Sequence, residues 1–181
     1  MDKRILKVLK EIEDFGKDNY MFNVPRETGE LLNFLVHYKK PSKILEIGMS
    51  NGYSTIWLAE AGFPVFSIEP DDEKIKLAKG NFEKAGLKNI NVIKGKGLDV
   101  LPKLDEKFDF VFIDAVKDEY LDYFKLLKLD KEAIVVADNI ISHDIKDYHE
   151  FINKKYKSWL IKISSGVEVT IFSAIDKFKN G

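Results

Sequence analysis

Carboxylate and amide side chains follow two apolar runs in the second half of the sequence. Asp114 comes directly after "FDFVFI", and Asp138 and Asn139 come directly after "EAIVVA". If the two runs are adjacent strands of a parallel sheet, their carboxyl ends meet at one edge and the three side chains converge. Two carboxylates and an amide oxygen suit a hard cation such as Mg²⁺, Mn²⁺ or Ca²⁺. An Asp-Asn pair is also common in turns and helix caps, so the pattern alone leaves both interpretations open.

A glycine turn follows an earlier apolar run in "KILEIGMSNGYSTIWLAE", residues 43 to 60. The turn begins at Gly48, but Ser50 occupies the middle glycine position of the dinucleotide fingerprint G-x-G-x-x-G. Glu46 precedes the turn, and a carboxylate in an apolar strand end needs a cationic or donor partner. Glu69 ends the next strand, at about the spacing where an acid binds ribose hydroxyls. A ligand with a ribose and a positive centre suits both acids, whereas a pyrophosphate would be repelled; a tight corner without a ligand is the alternative.

These candidate residues sit at the ends of predicted strands. Strands are predicted at 43–47, 64–69, 89–93, 108–113 and 132–137, and helices at about 53–62, 71–85, 117–128 and 144–156. The alternation predicts right-handed crossovers and a mostly parallel sheet. The tail "WLIKISSGVEVTIFSAI" predicts two further strands in a hairpin around Ser164 to Gly166. We therefore predict an α/β fold: a doubly wound, mostly parallel, seven-stranded Rossmann-like sheet with an antiparallel C-terminal hairpin.

Two helices are predicted before the first strand. The first carries one apolar stripe that we expect to be buried against the sheet or a second chain, formed by Ile5, Leu6, Leu9, Ile12 and Phe15. The segment "FNVPRETGELLNFLVHY" predicts a second helix with Pro25 near its first turn. We expect a single domain over residues 1–181, with the helices in 1–40 and the Rossmann-like core in 41–181.

Composition excludes several classes of function. With no cysteine, the chain has no disulfide, no Cys-ligated zinc and no thiol nucleophile. The formal net charge of -1 argues against strong nonspecific binding to nucleic acid. The first fifteen residues are charged throughout and form no apolar leader, and no apolar run approaches the ~18 residues of a membrane span. We expect a cytoplasmic protein that does not enter a membrane.

Several segments together resemble a known family. "LEIGMSNGYSTIWLA" resembles motif I of class I S-adenosylmethionine (SAM) methyltransferases, and more narrowly the metal-dependent O-methyltransferases that include catechol and caffeoyl-CoA O-methyltransferases. The similarity extends from about residue 22 to residue 172, through "FNVPRETGELL", "FSIEPDDEKIKLAKGNFEKAG", "FDFVFIDAVKDEYLDYF" and "VVADNI". It implies an enzyme, commonly a homodimer, that transfers a methyl group from SAM to a hydroxyl of a small, catechol-like acceptor with the help of Mg²⁺ or a related ion.

The resemblance also implies roles for particular residues. It assigns Asp114, Asp138 and Asn139 to the metal, and Lys117, three residues after Asp114, to the role of general base, so that Lys117 and Asp114 are the expected catalytic residues. The glycine turn is expected to hold the methionine end of SAM. The full set of cofactor-binding residues that it implies is Glu46, Gly48, Ser50, Gly52, Ser54, Glu69, Pro70, Gly97, Leu98 and Asp114. Lys117 also fits a solvated lysine in the first turn of a helix, and only its spacing from Asp114 favours the catalytic role.

Departures from the family pattern keep other functions open. Ser142 stands where a Trp is common, and Trp159 lies near the last hairpin, where some relatives supply an acid. A more open site would admit a larger acceptor, and methylation of a hydroxylated tRNA base is therefore one alternative. A SAM-binding module without catalysis is another, which the intact Asp114 and Lys117 disfavour. A nucleotide-dependent oxidoreductase is disfavoured by Ser50 and by Glu46 before the turn.

Overall fold

A computed structural model describes residues 1–19, 21 and 23–173 of the chain. Two helices, α1 (Lys3–Asp18) and α2 (Arg26–Lys39), precede the first strand. The strands are β1 (Ile44–Ile47), β2 (Val65–Glu69), β3 (Ile90–Lys94), β4 (Phe108–Ile113), β5 (Leu129–Ala137), β6 (Lys157–Ile161) and β7 (Val167–Phe172). The remaining helices are α3 (Tyr53–Ala59), α4 (Asp72–Ala85), α5 (Gly97–Val100), α6 (Tyr120–Leu126) and α7 (Lys146–Lys155), with 3-10 turns at Leu101–Lys103 and Lys117–Glu119. The end of the predicted hairpin, Ala174 and Ile175, lies outside the described residues.

The seven strands form one sheet in the order β3-β2-β1-β4-β5-β7-β6. The first five strands run parallel, and β7 pairs antiparallel with both β5 and β6. The predicted fold class is thereby confirmed. Strand order reverses at β1, which lies between β2 and β4, and the crevice beyond the carboxyl ends of these strands is where such sheets bind ligands.

Helices cover both faces of the sheet, and each face has its own apolar core. One core joins α1 to α4 with the sheet, and Leu9, Leu32 and Phe110 are fully buried in it. The other joins α5 to α7 with the opposite face, around Tyr120 and Tyr148. Since α1 and α2 contribute to the first core, the N-terminal helices are packed into the same body as the sheet. Within the described residues, no helix combines the length and apolar character needed to span a membrane.

The buried stripe of α1 differs from the predicted one. Ile5, Leu9 and Ile12 are buried as expected and Val8 joins them, but Leu6 and Phe15 are exposed, by 38% and 42%. The prediction for those two residues was wrong. Each residue turns a helix by about 100°, so Leu6 and Phe15 lie on the two borders of the stripe. Both borders face away from the core.

Candidate active site

A cavity of about 440 Å³ opens beyond the carboxyl ends of β1 to β4. It lies where strand order reverses, as the topology predicts. The turn after β1 and the segments that follow β2, β3 and β4 form its wall. The predicted site residues that line it are Gly48, Ser50, Ser54, Glu69, Pro70, Gly97 and Asp114.

Gly48 allows the ends of β1 and β4 to approach each other. Its φ of 99° lies in the left-handed region, which residues with a Cβ atom rarely adopt. A Cβ atom at this position would lie 2.0 Å from the carbonyl oxygen of Asp114. The amides of Gly48 and Met49 both donate to the carbonyl of Ile68 at 3.1 Å, which fixes the turn on the neighbouring strand. Glycine here is therefore required by the cavity wall itself.

Glu69 presents a fixed carboxylate at the end of β2. Its two oxygens accept hydrogen bonds from the backbone amides of Ser50, at 2.8 Å, and Asp71, at 3.1 Å. These bonds tie the turn after β1 to the start of α4. Each carboxylate oxygen has further acceptor capacity, which is suited to a pair of hydroxyl groups in the cavity.

Glu46 is fully buried and lies behind the cavity wall. Oε1 accepts a hydrogen bond from Ser54 Oγ at 2.6 Å, and Oε2 accepts from Thr55 Oγ1 at 2.5 Å and from Ser67 Oγ. Burial raises the pKa of Glu46 to about 7, the three hydroxyls oppose that rise, and the charge of Asp114 adds to it. Of the described donors to Glu46, Ser54 is the one that lines the cavity, so the carboxylate reaches the cavity through Ser54.

Two other predicted cofactor residues lie outside the cavity wall. A Cβ atom on Gly52 would meet the ring of Phe82, so this glycine serves the packing of α3 against α4. Leu98 packs against the second apolar core. Sequence reasoning missed Asn23, Val24 and Lys74, which do line the cavity. A partial signal was available for Val24, since it directly precedes Pro25 and a residue before proline is biased toward an extended conformation.

Asp114 and Lys117 form an ion pair at the end of β4. Lys117 Nζ lies 2.6 Å from Asp114 Oδ1 and donates a second hydrogen bond, 3.1 Å long, to the hydroxyl of Tyr120. The same ammonium lies 5.4 Å from the centre of the Tyr120 ring. Burial, with the charges of Asp114 and Asp138, raises the pKa of Tyr120, so its hydroxyl stays protonated. The two hydrogen bonds fix the ammonium group of Lys117 beside the cavity.

Asp138 and Asn139 follow β5, next to this cluster. Ile113 and Ala137 are register partners, so Asp114 and Asp138 leave neighbouring strands at the same level. Asp138 is almost fully buried and accepts a hydrogen bond from Ser165 Oγ. Burial raises the pKa of Asp138, Ser165 lowers it, and Asp114 raises it further. Asn139 has a φ of 63°, an uncommon conformation that Asn tolerates.

The donor set at these strand ends fits a hard cation. Two carboxylates of like charge follow neighbouring strands, Asp138 almost fully buried and Asp114 partly exposed beside Lys117, and a divalent ion would offset their repulsion. Within residues 1–19, 21 and 23–173, no three His, Cys, Asp or Glu side chains form a metal-binding group. A site here would therefore depend on the amide oxygen of Asn139 as its third protein ligand.

Proteins whose sequences are similar to this chain include O-methyltransferases. A family model described as O-methyltransferase matches residues 1–163. A catechol O-methyltransferase of Niastella koreensis is 36% identical over 129 residues, which are 66% of this chain and 58% of that protein. The chain thus spans somewhat over half the length of this curated relative.

Solved structures of similar proteins share the whole fold. An O-methyltransferase from Bacillus cereus in complex with SAH (S-adenosylhomocysteine) superposes with a TM-score of 0.83 at 26% identity, covering 92% of this chain and 91% of that one. The O-methyltransferase TomG from Streptomyces achromogenes, involved in tomaymycin synthesis and solved with SAM, gives 0.84 at 25% identity, covering 96% and 91%. The resemblance seen in the sequence motifs is confirmed, and the chain belongs to the O-methyltransferase family.

Proposed function

We propose that this protein is a SAM-dependent O-methyltransferase that acts on a hydroxyl group of a small, catechol-like acceptor with the help of a divalent cation. One observation carries the proposal. The Asp114–Lys117 pair adjoins a cavity whose wall also presents the fixed carboxylate of Glu69. A group that can bind a ribose thus lines the cavity, and a group that can take a hydroxyl proton lies beside it, on Asp114.

The cavity residues suit the parts of SAM. Glu69 would accept hydrogen bonds from the ribose hydroxyls, and its two backbone donors keep it in place without a bound ligand. Ser54 and Asp114 offer oxygen atoms to the ammonium group at the other end. Two structural relatives are described in complex with SAH or SAM, which supports this choice of cofactor.

Lys117 is the residue that would handle the acceptor hydroxyl. SAM supplies a methyl group already activated by its sulfonium, so the protein must align the attacking oxygen and remove its proton. The ammonium of Lys117 stabilises the forming oxyanion, or the neutral amine takes the proton. Its two hydrogen bonds, to Asp114 and Tyr120, limit where its nitrogen can lie.

Asp114, Asp138 and Asn139 would hold the cation. A divalent ion bound there would lower the pKa of an acceptor hydroxyl and fix its position. The proposal of Mg²⁺ or Mn²⁺ is supported by the all-oxygen donor set.

The surroundings of the pair favour an acceptor with an apolar body. Val116, which lines the cavity, is 55% exposed, and Ile141, two residues after Asn139, is 50% exposed. Apolar side chains left open beside charged groups suit an aromatic ring that carries hydroxyls. The relative from Niastella koreensis is named for catechol, which has this form.

Calorimetry and turnover assays test the proposal in two steps. SAH should bind in the presence of EDTA, because Glu69 and Ser54 do not depend on the ion, whereas NAD should not bind. Methylation of catechol by labelled SAM should need Mg²⁺ or Mn²⁺ and stop in EDTA. Binding of NAD without SAH would overturn the cofactor, and full activity in EDTA would overturn the metal. Asp138→Asn should lose the metal response while keeping SAH affinity.

We further propose that the protein forms a homodimer, as the family resemblance implies. Phe34 and Tyr38 stack on the outer face of α2 with ring centres 6.4 Å apart, exposed by 64% and 76%. Adjacent exposed aromatic rings are typical of an interface. Light scattering should return twice the chain mass, and the double substitution F34E/Y38E should return a monomer. A wild-type monomer at high concentration would contradict this.

A further inference from the structure

Each of the two candidate metal carboxylates has one oxygen that a side chain of the protein already holds. Oδ1 of Asp114 lies 2.6 Å from the ammonium of Lys117, and Oδ1 of Asp138 accepts a hydrogen bond from the hydroxyl of Ser165. Ser165 lies in the turn between β6 and β7, 27 residues after Asp138. The second pairing therefore exists only in the folded chain.

The backbone of this turn fixes the position of Ser165 independently of its side chain. The Ser165 carbonyl accepts hydrogen bonds from the amides of Ile141 and Ser142, at 3.1 and 3.0 Å. The carbonyl of Gly166 accepts one from Ile140 at 2.9 Å. A Cβ atom on Gly166 would lie 2.4 Å from the Ile141 side chain, so glycine lets the turn approach the segment after β5 closely. Main-chain contacts thus hold the Ser165 hydroxyl beside the end of β5.

The two held oxygens limit how many ligands the protein can offer to a cation. A carboxylate binds a cation through one oxygen or through both. Because Asp114 and Asp138 each have one oxygen engaged by a protein donor, each is left with one oxygen to give. Together with the amide oxygen of Asn139, the protein then supplies three ligands. Mg²⁺ keeps several waters and needs few protein ligands, whereas Ca²⁺ takes about six to eight oxygens and accepts both oxygens of one carboxylate.

We propose that Ser165 is a positioning residue that sets the metal preference of the site: by donating to Oδ1, it leaves Asp138 one oxygen for the cation and so favours Mg²⁺ or Mn²⁺ over Ca²⁺. The inference rests on the proposed function, since it needs a divalent cation at Asp114, Asp138 and Asn139. Ser165 acts through Asp138 and does not itself bind the cation. Lys117 limits Asp114 in the same way, but it also belongs to the proposed catalytic pair, so Ser165 is the residue to test.

Calorimetry with MgCl₂ and CaCl₂ on the SAH-bound protein, at one fixed pH, tests the inference. Wild type should bind Mg²⁺ more tightly than Ca²⁺. In Ser165→Ala the Mg²⁺ dissociation constant should rise by about 10–100-fold, the usual cost of losing the partner of a metal ligand. The Ca²⁺ dissociation constant should rise less, because the freed Oδ1 is a further ligand that Ca²⁺ can use. At one pH, a change in the protonation of Asp138 affects both cations alike and cancels in the ratio of the two constants.

Two further variants show whether the hydroxyl group itself is responsible. Ser165→Thr keeps a hydroxyl donor and should keep the wild-type ratio of the two dissociation constants. Ser164→Ala is the matched control, because Ser164 is the neighbouring residue of the same turn but is exposed, whereas Ser165 is half-buried against Asp138. It should also keep the wild-type ratio. SAH affinity in EDTA should be the same in all of these proteins, since the cofactor residues do not depend on the cation.

The outcomes separate this inference from the function on which it rests. A wild type that prefers Ca²⁺, or a Ser165→Ala variant in which both cations weaken by the same factor or not at all, overturns the inference alone. If Ser165→Ala does not fold, Ser165→Cys decides, because a thiol is a weaker donor of similar shape. An unchanged ratio in that variant also overturns the inference. A wild type that binds SAH but neither cation overturns the metal part of the proposed function as well.

Discussion

Lys117 owes its position to two short contacts, with Asp114 and with Tyr120. We predict that Lys117→Ala lowers methyl transfer by about 10²–10⁴-fold, the range for a lost general base. SAH affinity should stay the same, because Lys117 is not among the residues that line the cavity. Lys125→Ala, which removes an exposed lysine paired with Asp122 on α6, is the control and should change neither quantity. Unchanged turnover in Lys117→Ala would show that Lys117 is only a solvated lysine in the first turn of a helix.

In the part of the chain that the structure describes, the Glu69 carboxylate accepts from two backbone amides, those of Ser50 and Asp71. In Glu69→Ala the turn after β1 should still be held by the hydrogen bonds from Gly48 and Met49 to Ile68. We predict that Glu69→Ala weakens SAH binding by about 1–3 kcal/mol, through loss of charge-assisted hydrogen bonds to the ribose. Glu73→Ala, an exposed acid on α4, should leave the affinity unchanged. Calorimetry that returned the same dissociation constant for Glu69→Ala and wild type would refute the ribose assignment.

At the scale of elements, the turn after β1 depends on how closely β1 and β4 approach. Gly48 and Gly62 both have a positive φ, of 99° and 86°, but a Cβ atom on Gly62 would lie within 4 Å of no atom among residues 1–19, 21 and 23–173. Alanine at either position therefore brings similar backbone strain, and only Gly48→Ala adds a clash with the Asp114 carbonyl. We predict that Gly48→Ala costs about 2 kcal/mol or more of unfolding free energy beyond Gly62→Ala. It should also lose SAH binding, whereas equal behaviour of the two variants would contradict the close approach.

The strands could be predicted from the sequence because most of them are continuous apolar runs bounded by glycine or acid. The exception is β5, which begins at Leu129 rather than near residue 132. Its first residues are mostly exposed, Glu132 has a φ of 60°, and the register with β4 shifts between Phe108 and Phe110. An irregular, solvent-facing strand end has no apolar pattern to reveal it.

Part of the candidate site could also be predicted from the sequence. Asp114 and Glu69 were placed at the cavity because strand ends are visible in the sequence. The partners of Glu46 were not, since Ser54, Thr55 and Ser67 stand 8, 9 and 21 residues away and meet it only after folding. Glu46 was therefore expected to face the ligand, and the structure puts Ser54 between them. Small hydroxyl side chains carry no sequence pattern that distinguishes such a role.

At the scale of the whole molecule, β1 is an inner strand of a sheet that is covered on both faces, and the carboxyl group of Glu46 is buried with it. Strands β2 and β4 flank it, and helices cover both faces. A carboxylate there loses its hydration, and three neutral hydroxyl donors replace only part of it. Glu46, which adjoins the cofactor cavity, therefore lowers the free energy of unfolding when its carboxyl group is ionised.

The destabilisation by the buried charge of Glu46 depends on pH. Folding raises the pKa of Glu46 from 4.5 to about 7, so between these two pH values the folded state binds more protons than the unfolded state. Stability from this group is therefore fully present below about pH 4.5 and is lost as pH rises through 7, a change of about 3 kcal/mol. Glu46→Gln has no such proton to lose. Urea unfolding in EDTA should show the variant gaining up to about 3 kcal/mol relative to wild type between about pH 4 and pH 8, with Glu168→Gln measured alongside to remove effects common to buried acids. A difference between Glu46→Gln and wild type that stayed constant across this range would mean that the hydroxyl cage offsets burial completely, and that folding leaves the pKa of Glu46 unchanged.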